Sequence, residues 1–177
     1  MATTNWTIDP THSEVGFKVK HMMFTNVSGR FEKYEATVTT EGDDFENAIV
    51  EFSADVNSIN TGNADRDKHL KSADFFNGEI NSQLRFRSDS LRKNDSDNYI
   101  MIGDLTMNGI SKPVTLDVEF SGIMTDPWGN SKAGLNIYGK INRKDWGINW
   151  NSTLEAGGVL VSEEVRLNVE IQLIKQP

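Results

Sequence analysis

Tyr99-Ile100-Met101-Ile102-Gly103-Asp104-Leu105-Thr106-Met107-Asn108-Gly109-Ile110-Ser111-Lys112-Pro113-Val114-Thr115-Leu116-Asp117-Val118-Glu119-Phe120 contains two extended runs that meet at an Asn-Gly pair. Asn and Gly tolerate the positive φ of the tight turns that match strand twist, so the pair predicts a β-hairpin. In the second run Val114, Leu116, Val118 and Phe120 alternate with Thr115, Asp117 and Glu119, the period of a half-buried strand. The first run is apolar on both faces until Asp104, which predicts deeper cover.

The same period continues outward in both directions. Val15, Phe17, Val19 and His21 share one face, with Glu14, Lys18 and Lys20 on the other. Tyr34, Ala36 and Val38 alternate with Lys33, Glu35 and Thr37, and Ala48 to Val56 and Leu84 to Arg87 repeat the pattern. Toward the C-terminus, Leu135, Ile137 and Ile141 are followed by a final run from Val165 to Leu173. Asp126-Pro127-Trp128-Gly129-Asn130 separates two of these runs with turn chemistry. The count is eight strong strands from about Ser13 onward, plus a short one near Trp6 to Ile8.

One stretch departs from the pattern. Residues 63–77 predict a short helical insertion, with Asn63 as its cap and Phe75 and Phe76 pressed inward. Asp65 with His69, and Asp67 with Lys71, stand four apart, the spacing of helical ion pairs. No linker or repeat divides the 177 residues, so the expectation is one all-β domain over 1–177. Eight antiparallel strands form either an up-and-down barrel or a sandwich; closure removes the exposed edges.

Composition narrows the function. With 18 basic against 26 acidic residues and a net charge of −8, the chain lacks the basic surface that nucleic-acid binding needs. It contains no cysteine, which excludes disulfides and thiolate chemistry. No apolar run reaches the roughly 18–20 residues of a spanning helix. Met1-Ala2-Thr3-Thr4-Asn5-Trp6 carries neither a basic nor an apolar leader region, so the expected location is the cytoplasm, or the periplasm if a leader had been removed.

Signatures of catalysis are missing: no nucleophile elbow, no Walker loop, no zinc-protease motif and no dinucleotide fingerprint. The expectation is a protein that is not an enzyme, with no metal site. Asp65, Asp67 and His69 have the chemistry of metal ligands, but a solvated charged face with internal pairs is the simpler reading. His21 shares its face with Phe17 and Val19, so it is either a satisfied buried histidine or a polar handle in an apolar pocket. Ala36, Ala54, Gly103 and Gly139 on inward faces fit either a hollow or close packing under larger neighbours. Arg143 and Asp145 have the spacing to pair across a turn, with Trp146 and Trp150 closing one end.

Nine segments in order resemble the YceI family of lipid-binding proteins. They are Trp6-Thr7-Ile8-Asp9-Pro10-Thr11-His12-Ser13, Phe17 to Met23, Gly29-Arg30-Phe31, Ser58 to Asn63 with Arg66-Asp67 and His69-Leu70, and Asp74-Phe75-Phe76. Gly103 to Gly109, Lys112 to Leu116, Asn142-Arg143 with Asp145-Trp146-Gly147, and the last Val-rich strand complete the set. The resemblance implies an eight-stranded, lipocalin-like antiparallel barrel with a long apolar cavity for polyisoprenoids, isoprenoid quinones or fatty amides. It also implies no cofactor beyond the bound lipid, transient contact with a membrane, and a possible homodimer.

On that basis the expected ligand contacts are Phe17, Val19, His21 and Phe31 on the early strands and Phe52, Ala54 and Phe86 in the middle. Met101, Leu105, Phe120, Ile137 and Trp146 are expected to complete them on the later segments. The rival expectations are a filled-core stress-response or interaction protein without ligand, and a lipid-modifying enzyme using His21 as base.

Overall fold

The computed structural model describes residues 2–95, 97–152, 154 and 159–177. The strands are β1 (Thr3–Ile8), β2 (Glu14–His21), β3 (Thr25–Phe31), β4 (Tyr34–Glu41), β5 (Asp44–Asp55) and β6 (Ile59–Asn60). After helix α1 (Ala64–Lys71) come β7 (Gln83–Lys93), β8 (Asn98–Met107), β9 (Ile110–Thr125), β10 (Ser131–Asn142) and β11 (Val161–Lys175).

These eleven segments form eight staves. β1 and β2 run along the same neighbour, β11, with a 3-10 turn at Pro10–His12 between them. β3 and β4 make one bent stave that pairs β2 and β1 in turn, and β5 and β6 make another. Each remaining strand pairs antiparallel with the next, and the ring closes where β1 meets β11 through Trp6↔Lys175 to Ile8↔Leu173. The architecture is a closed eight-stranded up-and-down barrel.

Local chemistry accounts for the joints. Asn108 and Gly109 both take positive φ, 52° and 73°, as the β8–β9 hairpin requires. Asp126 accepts from the backbone of Trp128 and Asn130 in the β9–β10 turn. Asn63 caps α1 by accepting from Arg66 N at 3.0 Å. The expected pairs along α1 give way to tertiary ones: Asp67 accepts from Thr61 N and Oγ1, and His69 Nε2 lies 2.8 Å from Asp74. These partners tie the helix to its flanks instead of stiffening its exposed face.

The outer surface is charged along its staves. Thr37, Glu51, Arg87 and Asp104 face one another across β4, β5, β7 and β8, with Arg87 paired to Glu51. A barrel that spans a bilayer carries an apolar outer band instead. Among the described residues, no helix is long and apolar enough to cross a membrane. The inward face is Val, Leu, Ile, Phe and Met, and this sets up the interior described next.

Candidate functional site: a barrel cavity closed at one end

The two ends of the barrel differ. One carries the turns at 42–43 and 126–130, the end of β7 and the start of β8, and is stoppered by aromatic rings. Trp6 packs on Phe45 with centroids 5.2 Å apart, Phe45 on Phe120 at 4.9 Å, and Phe120 edge-on to Tyr99 at 6.1 Å. Trp6 is fully buried, and its indole N–H donates to Thr40 Oγ1 at 3.0 Å. The other end, the mouth end, carries the turns at 22–24 and 108–109, the α1 segment and the 3-10 turn Arg143–Trp146.

Between stopper and mouth lies a cavity of about 240 Å³. Its lining comes from all eight staves and, apart from His21, Thr61, Arg143 and the outward-facing Lys20 at the rim, every lining residue is apolar. The chain order places all four exceptions at the mouth end. An apolar cavity of roughly 150 Å³ already stays dry and takes benzene, so this one is large enough to hold apolar matter.

Phe17, Val19, His21 and Phe31 line it from β2 and β3, and Phe52, Phe86, Met101, Leu105 and Ile137 from the staves opposite. Three of the expected contacts lie elsewhere. Phe120 belongs to the stopper. Ala54 is buried in a small cluster with Val15, Phe31 and Ile59, of which Val15 and Phe31 reach the cavity and Ala54 does not. Trp146 is buried in the 3-10 turn Arg143–Trp146, where its indole N–H donates to Leu105 O at 2.9 Å and seals the wall from behind. Alternation assigns an inward face, but it does not say whether an inward ring meets the cavity or another ring.

Gly103 and Gly139 do not widen the hollow. A Cβ at Gly139 would strike Leu116, and one at Gly103 would strike the Phe86 ring and the Arg87 carbonyl. Each glycine lets a neighbouring stave's side chain lie flat against the wall. Leu116 and Phe86 then line the cavity.

Arg143 is the group that spacing alone did not place. It is 4% exposed and does not pair with Asp145. Its guanidinium donates to four backbone carbonyls, those of Ile148 and Trp150 at 2.8 Å, Ser162 at 2.9 Å and Val161 at 3.3 Å. Burial pulls its pKa below the ordinary arginine value, against an opposing push from the Glu163 charge. Arg143 therefore ties Ile148 and Trp150 to the start of β11 while holding a positive charge at the mouth. Because the carbonyl acceptors lie up to 19 residues away, no local motif reveals them.

The residues that follow α1 pack at the mouth. Phe75 and Phe76, which follow α1, line the cavity, and Phe76 meets Phe31 edge-on at 6.1 Å. His69 sits edge-on to both Phe75 and Trp150, at 5.1 and 4.7 Å. His21 is half-exposed at the end of β2, inward-facing and beside Val161 across the register. Among the described residues, no buried side-chain nitrogen or oxygen lacks a partner.

A closed antiparallel barrel with a stoppered apolar interior places the chain in the class of hollow, lipocalin-like barrels. More narrowly, it belongs to the YceI family: the model of the YceI-like domain matches residues 6–173. The UPF0312 protein SA2479 of Staphylococcus aureus is 36% identical over 170 residues, 96% of each chain. The Campylobacter jejuni YCEI protein superposes with a TM-score of 0.75 at 32% identity, over 96% of this chain and 97% of that one. A polyisoprenoid binding domain from Saccharophagus degradans has the same fold at 14% identity, with a TM-score of 0.66 over 97% of this chain and 98% of that one.

Proposed function

We propose that this chain binds one long-chain amphiphilic lipid non-covalently in the barrel cavity and serves as its carrier or store. A polyisoprenoid, an isoprenoid quinone or a fatty amide fits the chemistry. The observation that carries this reading is the segregation of the lining: apolar from the stopper upward, polar at the mouth. An apolar tail enters tail-first and leaves its head group beside His21 and Arg143. The polyisoprenoid-binding description of the S. degradans neighbour supports the same ligand class.

The energetics suit reversible exchange. Each buried methylene contributes about 0.8 kcal/mol relative to water, so a twenty-carbon tail is driven by roughly 16 kcal/mol before ordering costs. Such a tail starts in a bilayer, however, where its methylenes are already buried. The net transfer free energy is then small, and selectivity falls to the polar groups at the mouth.

The cavity volume favours a second reading, a filled-core protein without ligand. About 240 Å³ lies below the ~300–1,000 Å³ typical of small-molecule sites. A long tail must therefore displace lining side chains, and Met101 and Met107 are the pliable ones. Organic extraction of the purified protein followed by mass spectrometry decides between the two readings. A stoichiometric lipid is expected, and His21→Leu is expected to keep the fold and shift the head-group profile. Protein that is lipid-free after gentle purification and takes up none from vesicles establishes the filled core. An unchanged profile in the variant removes His21 from the site.

A further inference from the structure

The β2–β3 turn at the mouth breaks two rules at once. Met22 and Met23 adopt φ of 52° and 64°, and Phe24 N closes the turn on His21 O at 3.1 Å. That is the hairpin geometry of an Asn-Gly pair, and long side chains are strained in it. Both methionines and Phe24 also project into solvent, 38%, 62% and 80% exposed, next to the mouth residue His21. A strained backbone that displays three apolar side chains persists where the display has a use.

Charge indicates what meets the display. On the outer face below the turn, Lys140 stands opposite Arg166, and Arg166 opposite Lys18, across β10, β11 and β2. Like charges directly opposite repel. Glu164 reaches Lys140 and Arg166 only at 3.8 and 3.7 Å, and no carboxylate of the described residues pairs with Lys18 or Lys20. A cationic stripe thus leads up to an apolar tip on a chain whose net charge is −8. At the stoppered end Asp43, Asp44, Asp97 and Glu119 surround one surface hollow against Lys93 alone, and Lys175 pairs with Asp43, so acids outnumber bases there.

We propose that Met22-Met23-Phe24 dips into the surface of an anionic lipid bilayer while Lys18, Lys20, Lys140 and Arg166 lie against its head groups. The acidic far end is turned away, and the mouth faces the membrane. This rests on the lipid-carrier reading for its purpose but not for its test. Apolar insertion with cationic contact is the usual pairing for reversible membrane association.

The test is co-sedimentation with vesicles of phosphatidylglycerol mixed into phosphatidylcholine, against phosphatidylcholine alone. The native chain is expected to prefer the anionic vesicles and to be released by salt. The triple variant Met22→Asn, Met23→Gly, Phe24→Ser relaxes the turn, so it is expected to raise Tm while lowering vesicle affinity at least about tenfold. Two results overturn the proposal: equal sedimentation of native chain and variant, or a native dimer that the variant lacks while neither binds vesicles. Mass spectrometry of the cavity contents reads the carrier function separately. An empty native cavity with turn-dependent vesicle binding defeats the carrier reading and leaves the docking surface standing.

Discussion

Asp9 shows how much one side chain at a break in a stave can hold. It is buried at the kink between β1 and β2, and it accepts from Thr11 N and Oγ1 at 3.1 and 2.7 Å and from Lys132 Nζ at 2.9 Å, with His12 Nδ1 also at 2.9 Å. Burial by itself would raise its pKa, but the hydrogen bonds from Thr11, Lys132 and His12 outweigh that and hold it far below its ordinary 3.8. A depressed carboxyl stabilises the fold fully above its unfolded value and loses that contribution as pH falls toward the folded one. Asp9→Asn is therefore expected to cost roughly 2 kcal/mol at pH 7, or about 4–8 °C in Tm. The gap should narrow steadily below pH 4 in thermal melts against pH. A gap that stays constant down to about pH 2 defeats the assignment. In the sequence Asp9 is one acid before a proline, and Lys132, 123 residues on, is invisible from there. His21 was legible because its placement follows from the alternation of its own strand. Arg143 and Asp9 were not, because their partners arrive only when the barrel closes.

At the scale of elements, period-two alternation found the strands and the Asn-Gly pair found a turn, since both are local properties of the backbone. The breaks at Pro10–His12 and Val56–Ser58 were harder, because a stave continues across them with the same neighbour. The inward glycines test whether wall packing, and not open space, explains them. A Cβ at Gly103 meets a backbone carbonyl, that of Arg87, which cannot move without breaking the β7–β8 ladder. One at Gly139 meets the end of the Leu116 side chain, which can swing into the cavity. Gly103→Ala is expected to destabilise by about 2–3 kcal/mol and Gly139→Ala by under ~1 kcal/mol, measured by urea unfolding. Equal costs would mean that the two walls are packed alike. Gly139→Ala should also lower lipid content, because the displaced Leu116 narrows the channel.

The whole molecule turns on a question that alternation leaves open, because it fixes faces and not curvature. A sandwich and a barrel share the same inward residues, and the pairing of the β1–β2 stave with β11, residues 6–8 with 173–175 included, closes the sheet. Once it closes, the Val, Leu and Phe side chains around the cavity lack packing partners on one side, contacts that an apolar guest would restore. A lipid that binds the folded chain but not the unfolded one adds RT ln(1 + [L]/Kd), about 2.7 kcal/mol at a hundredfold excess over Kd. For a chain of this size that corresponds to about 5–11 °C. Protein stripped by organic extraction and refolded is expected to melt lower by that amount, and to recover on incubation with vesicles carrying the extracted lipid. Recovery should be slower for the Met22-Met23-Phe24 triple variant, although its final Tm with lipid should not fall below that of the native chain, because the turn lies outside the cavity. A stripped protein that melts where the purified one does has an interior that needs no guest, whatever lipid clings to its surface.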